Sequence, residues 1–260
     1  MKPPTITDAY SSTGAAWQNG PGAIYDRLAT VLVDCRPVDF TGRRILDLGA
    51  GTGAASRAIA AAGGVALAAD AAYGMLATDA RQRPAAVVGD AYALPLRTGA
   101  VDAVVAAFSL NHLDDPIAGL REAARVTRVG GAILASAYAD DDTHPAKHAA
   151  EAAAREQGWE PPPWYGHLKE TVMPKLASVE RAETALAGAG LTGAARAVRV
   201  AFPELRPDQL LAWRFGMAQL APFVTALAAG ARDALFARAR SLLDDVVLVR
   251  SIIVIIATIR

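Results

Sequence analysis

The segment ILDLGAGTGAAS, residues 45–56, packs three glycines between an apolar run and a small-residue stretch of helical character. A turn of this kind takes the chain from a strand into a helix, lets backbone approach a ligand closely, and leaves N–H groups free at the helix start. From Arg44 onward, short apolar runs alternate with alanine-rich segments of helical length. The strands expected are RILDLG (44–49), VALAAD (65–70), AAVVGD (85–90), VDAVVAAF (101–108) and GAILASAY (131–138). Helices are expected near 53–62, 73–81 and 116–127, the last opened by Asp114, Asp115 and Pro116 as an acidic cap with proline in the first turn. Repeated β-α order predicts an α/β fold with a doubly wound, Rossmann-like sheet.

The rhythm changes after Tyr138. An acidic turn and a helix lead into the proline-stiffened PPPWYGH, which reads as an insertion or lid. A helix near 178–189 ends at Gly188 and Gly190, and the alternating run AARAVRVAF (194–202) predicts a strand. Residues 207–244 are helical in period, and the apolar run 247–258 follows, so a helical excursion separates the last two strands. The expected organisation is an N-terminal helical lid over 1–40, a cofactor-binding core over 41–138, a lid insertion over 139–177, and over 178–260 the rest of the core sheet with a helical insertion at 207–244.

Lys plus Arg and Asp plus Glu balance at 26 each, which argues against a nucleic-acid partner held by a global basic field. Hydrophobic residues make up 53% of the chain but aromatics only 6%, because alanine carries much of the apolar count, as in a helix-rich globular protein. Cys35 stands alone and reads as a structural thiol. The N-terminal MKPPTITDAYSST lacks the apolar stretch of a signal peptide, and SIIVIIATIR is too short to span a bilayer. A cytoplasmic protein without membrane attachment, monomer or homodimer, is expected.

Residues Gly49–Ala54 read G-A-G-T-G-A, which satisfies both G-x-G-x-G and the permissive G-x-G-x-x-A of dinucleotide folds. Alone, the turn does not choose a ligand, and glycines there also serve as simple turn formers. Asp70, 21 residues after Gly49 at the end of the second strand, is placed to accept from both hydroxyls of a ribose, which NAD and S-adenosylmethionine share. The choice comes from two further acids. Asp47 stands just inside the glycine turn, and Asp90 ends the third strand, where an acceptor suits the exocyclic amine of adenine.

With these residues the chain resembles the class I S-adenosylmethionine-dependent methyltransferases, in the small-molecule branch similar to ubiquinone and menaquinone enzymes. The resemblance covers 41–138 through RRILDLGAGTG, AADAAYGML, GDAYALPLRTGAVDAVVAAFSLNHLDDP and LREAARVTRVGGAILAS. It implies a seven-stranded sheet closed by a C-terminal antiparallel hairpin, here 194–202 with 247–258. It also implies that Gly49, Ala50 and Gly51 line the methionine part of the cofactor. Asp70 would take the ribose, Ala71 and Met75 the adenine faces, Asp90 and the Ala91 amide the adenine edge, and the Ala107 carbonyl the cofactor's amino group. Asp90 has a second reading as a helix cap for 91 onward, and Met75 as ordinary core.

The N-terminal segment resembles one that folds over the cofactor in such proteins, with Tyr10 and Trp17 as lid aromatics able to face a sulfonium and Tyr25 packed behind. Methyl transfer depends chiefly on holding the acceptor in line, so a base is needed only when the acceptor must lose a proton. His112 in SLNHL, after the fourth strand, is the candidate base, with a cofactor-side or packing role as the alternative. His144 and His148, four apart, could share a helix face, but no third metal ligand is evident; with His167 they read as surface histidines. Trp164, Tyr165, Trp213, Phe215, Met217 and Phe223 are candidate acceptor walls, with helix packing as the alternative for 213–223.

These readings predict an S-adenosylmethionine-dependent methyltransferase acting on a small apolar or aromatic metabolite, at an O, N or C acceptor in secondary or quinone-like metabolism. The alternatives are a non-methylating cofactor-binding protein of the same fold and an NAD-type Rossmann oxidoreductase. The latter is disfavoured because no Ser, Tyr and Lys arrangement for hydride chemistry follows the sheet.

Overall fold

The computed structural model describes residues 5–78 and 80–260. Residue 79, inside the helix expected over 73–81, and residues 1–4 of the expected N-terminal lid lie outside the described residues.

Three helices come first: α1 (Ile6–Ser11), α2 (Gly14–Asn19) and α3 (Gly22–Asp34). The alternating core follows as β1 (Arg44–Leu48), α4 (Ala54–Ala61), β2 (Val65–Asp70), α5 (Tyr73–Ala77), β3 (Ala86–Val88), β4 (Val101–Ala107), α6 (Pro116–Val126) and β5 (Thr127–Tyr138). Next come α7 (Pro145–Glu156), the short α8 (Pro163–His167), α9 (Val179–Gly188) and β6 (Thr192–Phe202). The chain ends with α10 (Pro207–Phe215), α11 (Ala221–Ala226), α12 (Ala229–Ser241) and β7 (Leu248–Thr258).

The seven strands form one sheet in the order β3-β2-β1-β4-β5-β7-β6. β1 to β5 pair in parallel, whereas β7 runs antiparallel between β5 and β6, with Ala194 opposite Ile256 and Phe202 opposite Leu248. This is the C-terminal hairpin expected from 194–202 and 247–258. Central strands are apolar on both faces because both are covered. Ile45, Val105 and Leu134 pack with Leu28, Leu32 and Ile59 from α3 and α4, while Leu46, Val104 and Ile133 face Leu120, Val126 and Leu186 from α6 and α9. Parallel strands with crossover helices bring the carboxyl ends of β1, β2, β3 and β4 to one edge, where the strand order reverses between β1 and β4.

Several element bounds differ from the sequence reading for local reasons. The helix expected over 73–81 ends at Ala77, where Thr78 turns extended with its hydroxyl donating to the Gly74 carbonyl at 2.9 Å. No helix follows Asp90, so the cap reading fails. The chain bends instead as the Asp90 carboxylate accepts from the Tyr92 amide at 2.9 Å, and Pro95 holds the residue before it away from helical backbone. The strand expected at 131 begins at Thr127, directly after α6. The helical stretch 207–244 splits into three, broken at Gly216 and again ahead of Ala229. Among the described residues, no helix is long and apolar enough to cross a membrane.

The N-terminal helices dock through two glycines. A Cβ at Gly74 would lie 1.8 Å from the Ser11 carbonyl oxygen, and one at Gly14 would lie 1.9 Å from the Thr78 hydroxyl. Only hydrogen fits, so α1 and α5 approach backbone to backbone. Gly74→Ala is therefore expected to destabilise the fold by about 1–3 kcal/mol, as overpacking does. The same substitution should raise amide exchange across α1 and α2 above that across β1 and β4; unchanged exchange there would refute the close docking.

Candidate functional site

Gly49 turns out of β1 with φ of +72°, and Gly51 follows at +53°. A Cβ on Gly49 would lie 2.2 Å from that of Ser109, so glycine is demanded by space as well as by backbone conformation. Ser109 closes this approach by donating its hydroxyl to the Leu48 carbonyl at 2.6 Å, which ties the end of β1 to the loop after β4. The amides of the turn are committed internally. Gly49 and Ala50 donate to the Ala69 carbonyl at 2.8 and 3.0 Å, and Gly51 donates to Oδ2 of Asp70 at 2.7 Å. Asp70 Oδ1 accepts from the Ala72 amide at 2.7 Å, which fixes the carboxylate plane at the end of β2. Burial raises the pKa of Asp70, and these two amides oppose the rise.

Asp47 lies one strand residue inside the turn and is 1% exposed. Its carboxylate accepts from the Ser56 hydroxyl at 2.6 Å, and the Ser56 amide favours its charge too, so an acid stands against the first turn of α4. Burial nonetheless pushes it up to about 7.

These elements open onto a cavity of about 690 Å³, and every residue expected to serve the cofactor lines it. Gly49, Ala50, Gly51, Asp70 and Ala71 form one wall, and Asp90, Ala91 and Ala107 bring in the ends of β3 and β4. Met75 belongs both to this wall and to the core. Asp90 is exposed, and among the described residues its carboxylate accepts from the Tyr92 amide alone. Asn111 also lines the cavity, 2% exposed, with its side-chain oxygen buried and unpartnered.

Tyr10 and Trp17 cover the cavity as a continuous aromatic group. Tyr10 lies 5.6 Å from Trp17 and 5.5 Å from the His112 ring, and Trp17 lies 4.8 Å from Tyr25. His112 is pushed down to about 4 by burial, so its imidazole is neutral near pH 7. Phe108 between β4 and His112 holds φ of +56°, an outlying conformation for an aromatic residue, and stacks on Tyr138 at 4.5 Å.

Trp164, Tyr165, Trp213 and Met217 line the far part of the cavity, as expected. Phe215 does not; it is turned into the helical layer, 4.6 Å from Phe236. Phe223 is likewise absent from the lining and packs against the core. His144 caps α7, its Nδ1 accepting from the Ala146 amide at 3.1 Å, and lines the cavity. His148 is exposed, and His167 meets Asp114 at 2.9 Å. No cluster of three or more metal-ligating side chains occurs among the described residues.

Sequence reasoning passed over Lys147, Arg214 and Arg250, which also line the cavity. The signal was available for the arginines: each is a lone charge in an otherwise apolar run, LLAWRFG and VVLVRSIIVII.

The Asp47 carboxyl carries a pH signature. Its folded pKa, about 7, exceeds the model-peptide value, so the native state binds more protons and stability falls as pH rises from about 4 to 7. Asp47→Asn should be more stable than the parent at pH 8, by on the order of 1–2 kcal/mol, with the gap closing toward pH 5. Urea denaturation at both pH values checks this; a gap independent of pH would contradict it.

Residues 46–135 match the family described as Methyltransferase domain. The demethylmenaquinone methyltransferase of Mycolicibacterium gilvum is 37% identical over 129 residues, 50% of this chain and 55% of that protein. The chain thus spans about half the length of the curated relatives it matches. Among solved structures, a chain of the complex between the Haloferax volcanii Trm112 methyltransferase activator and a methyltransferase superposes with TM-score 0.61 at 19% identity, covering 99% of each chain. Haemonchus contortus phosphoethanolamine N-methyltransferase 2, bound to phosphomonomethylethanolamine and S-adenosylhomocysteine, superposes with TM-score 0.57 at 18% identity over 96% of this chain and 57% of that one. Residues 46–135 thus match a methyltransferase domain, and the sheet built around them shares the fold of these solved structures.

Proposed function

We propose that the protein transfers a methyl group from S-adenosylmethionine to a small molecule seated at the aromatic end of the cavity. The observation that carries this reading is the commitment of the turn amides at Gly49, Ala50 and Gly51 to Ala69 and Asp70. A dinucleotide asks such amides for its pyrophosphate, and here the buried Asp47 carboxylate, bonded to the Ser56 hydroxyl, adds an acid beneath the first turn of α4. A cofactor with a ribose and an adenine but no phosphate suits the same walls. This favours the methyltransferase over the NAD-type alternative.

The fit is local. Asp70 keeps lone pairs for the ribose hydroxyls, Asp90 has acceptor capacity for the adenine amine, Ala71 and Met75 give apolar faces, and the glycine turn and the Ala107 carbonyl serve the methionine end. The bound cofactor supplies an electrophilic methyl on a sulfonium. The chain's own residues hold the acceptor against that methyl and exclude water, the role suited to Tyr10 and Trp17 as a cover. His112 is the proposed proton acceptor. Its low pKa makes it a weak base, available in neutral form above about pH 4, which matches an acceptor whose proton is already acidic. The demethylmenaquinone methyltransferases among the relatives point to a quinone-like ring as acceptor.

Calorimetric titration with S-adenosylmethionine, S-adenosylhomocysteine, NAD and NADP is the direct test: the two sulfur compounds should bind and the dinucleotides should not. Binding of NAD or NADP alone would replace this reading with the oxidoreductase. Asp70→Ala should weaken S-adenosylhomocysteine binding by about 10- to 100-fold through loss of charge-assisted hydrogen bonds; unchanged affinity in a folded variant removes Asp70 from the site. Against aromatic and quinone-like acceptors, His112→Ala should lower kcat by about 100-fold or more while S-adenosylhomocysteine affinity stays within about twofold. Equal kcat would end the role of His112 as base.

A further inference from the structure

The cavity separates charge. The acids Asp47, Asp70 and Asp90 lie at the ends of β1, β2 and β3, and Asp114, Asp140 and Asp142 also line the cavity but pair with His167, Arg181 and Arg250, whereas Lys147, Lys169, Arg214 and Arg250 come from α7, the turn after α8, α10 and β7. Arg250 is balanced: it pairs with Asp142 at 2.5 Å and lies between the rings of Tyr138 and Trp213, 4.1 and 4.7 Å from their centroids. The other three cations are not. Arg214 is 5% exposed, its nearest carboxylate is Glu151 at 3.7 Å, and its Nε is buried without a hydrogen-bond partner. Glu151 is already shared, lying 3.6 Å from Arg155 and accepting from the Tyr165 hydroxyl at 3.2 Å. Lys147, one turn earlier on α7, and Lys169, whose ammonium lies 5.4 Å from the Tyr165 ring, form no ion pair among the described residues. Burial and the neighbouring Lys169 push Lys147 down to about 8.

Glu151 is therefore shared by Arg155 and Arg214, and Lys147 and Lys169 add two cations without a pairing carboxylate among the described residues, an arrangement that is costly unless an anion completes it. We propose that Lys147, Lys169 and Arg214 bind a carboxylate borne by the methyl acceptor, with its ring against Tyr165 and Trp213. This deepens the proposed function and rests on its placing of the acceptor at this end of the cavity. Guanidinium and ammonium groups recognise carboxylate and phosphate alike, but a planar ring between aromatic walls favours the smaller, planar carboxylate.

The probes are 2-naphthoate, 2-naphthamide and 2-naphthyl phosphate, titrated calorimetrically into protein loaded with S-adenosylhomocysteine and into unloaded protein. The naphthoate should bind about tenfold or more tightly than the neutral amide. Lys169→Gln, an exposed position that does not threaten folding, and Lys147→Gln should each weaken naphthoate binding severalfold and leave S-adenosylhomocysteine affinity unchanged. Equal binding of naphthoate and amide, or no loss in either variant, overturns the anion site. Tighter binding of the phosphate than the naphthoate overturns its assignment to a carboxylate. If S-adenosylhomocysteine itself fails to bind, the methyltransferase reading falls, and the naphthoate titration of the unloaded protein still decides the anion site.

Discussion

The cavity depends on one short contact between two strand ends. Where Ser109 donates to the Leu48 carbonyl at 2.6 Å, the loop after β4 is drawn onto the turn after β1, and only a glycine at 49 leaves room for it. The contact fixes the floor of the cavity, because the Gly49, Ala50 and Gly51 amides then point back to β2 and Asp70 rather than outward. It also positions the segment from Phe108 to His112, whose entry carries the φ of +56° at Phe108. Strain at that residue is held by packing on two sides, from Tyr25 at 5.5 Å and Tyr138 at 4.5 Å. The same aromatic cluster thus holds the candidate base and forms part of the wall.

The sheet was legible because its signals are local. Runs such as RILDLG and VALAAD end in glycine or aspartate at the carboxyl edge, and the structure places those ends together at the switch point of the strand order. Of the residues expected around the cofactor, Gly49, Asp70, Asp90 and Ala107 line one cavity because they stand at or just beyond strand ends, which topology brings to one place, whereas Tyr10, Trp17 and Met75 reach it from α1, α2 and α5. The helical insertions were less legible. Trp213 and Phe215 lie two apart on one helix, yet Trp213 reaches the cavity and Phe215 packs on Phe236, a choice made by the neighbouring helices and not by the local pattern. Asp90 illustrates the competing case: its side chain does bond a following amide, but the helix of its alternative reading as a cap does not form, and Pro95 keeps the segment a loop.

The buried arginines show a different limit. Sequence periodicity reads Arg214 and Arg250 as interruptions of apolar faces, and only the fold reveals that they converge near α7 from α10 and β7. Their charges are unequal in consequence. Arg250 is neutralised by Asp142 and covered by two rings, so it stiffens the junction between β5, β7 and α10. Arg214 has to share Glu151 with Arg155, which leaves positive potential at the cavity wall.

Charge separation within one cavity bears on how transfer would be driven. A sulfonium methyl is lost from a cation, so an electron-rich acceptor atom and the departing charge neutralise each other as the bond forms, a change favoured in a site with little water. An anionic handle bound by Lys147 and Lys169 is not the reacting atom, since direct pairing with ammonium groups would quench its nucleophilicity. In the proposed pose the handle would orient the acceptor, and the reacting atom would face the opposite way, toward His112 and the strand ends. On that reading a neutral imidazole there, pushed down to about 4, would remove a proton without placing a second cation beside the sulfonium before reaction. On the proposed reading, burial of His112 and the incompletely paired cations at the far wall are one electrostatic arrangement: positive charge would be withheld where methyl leaves and supplied where the acceptor is gripped.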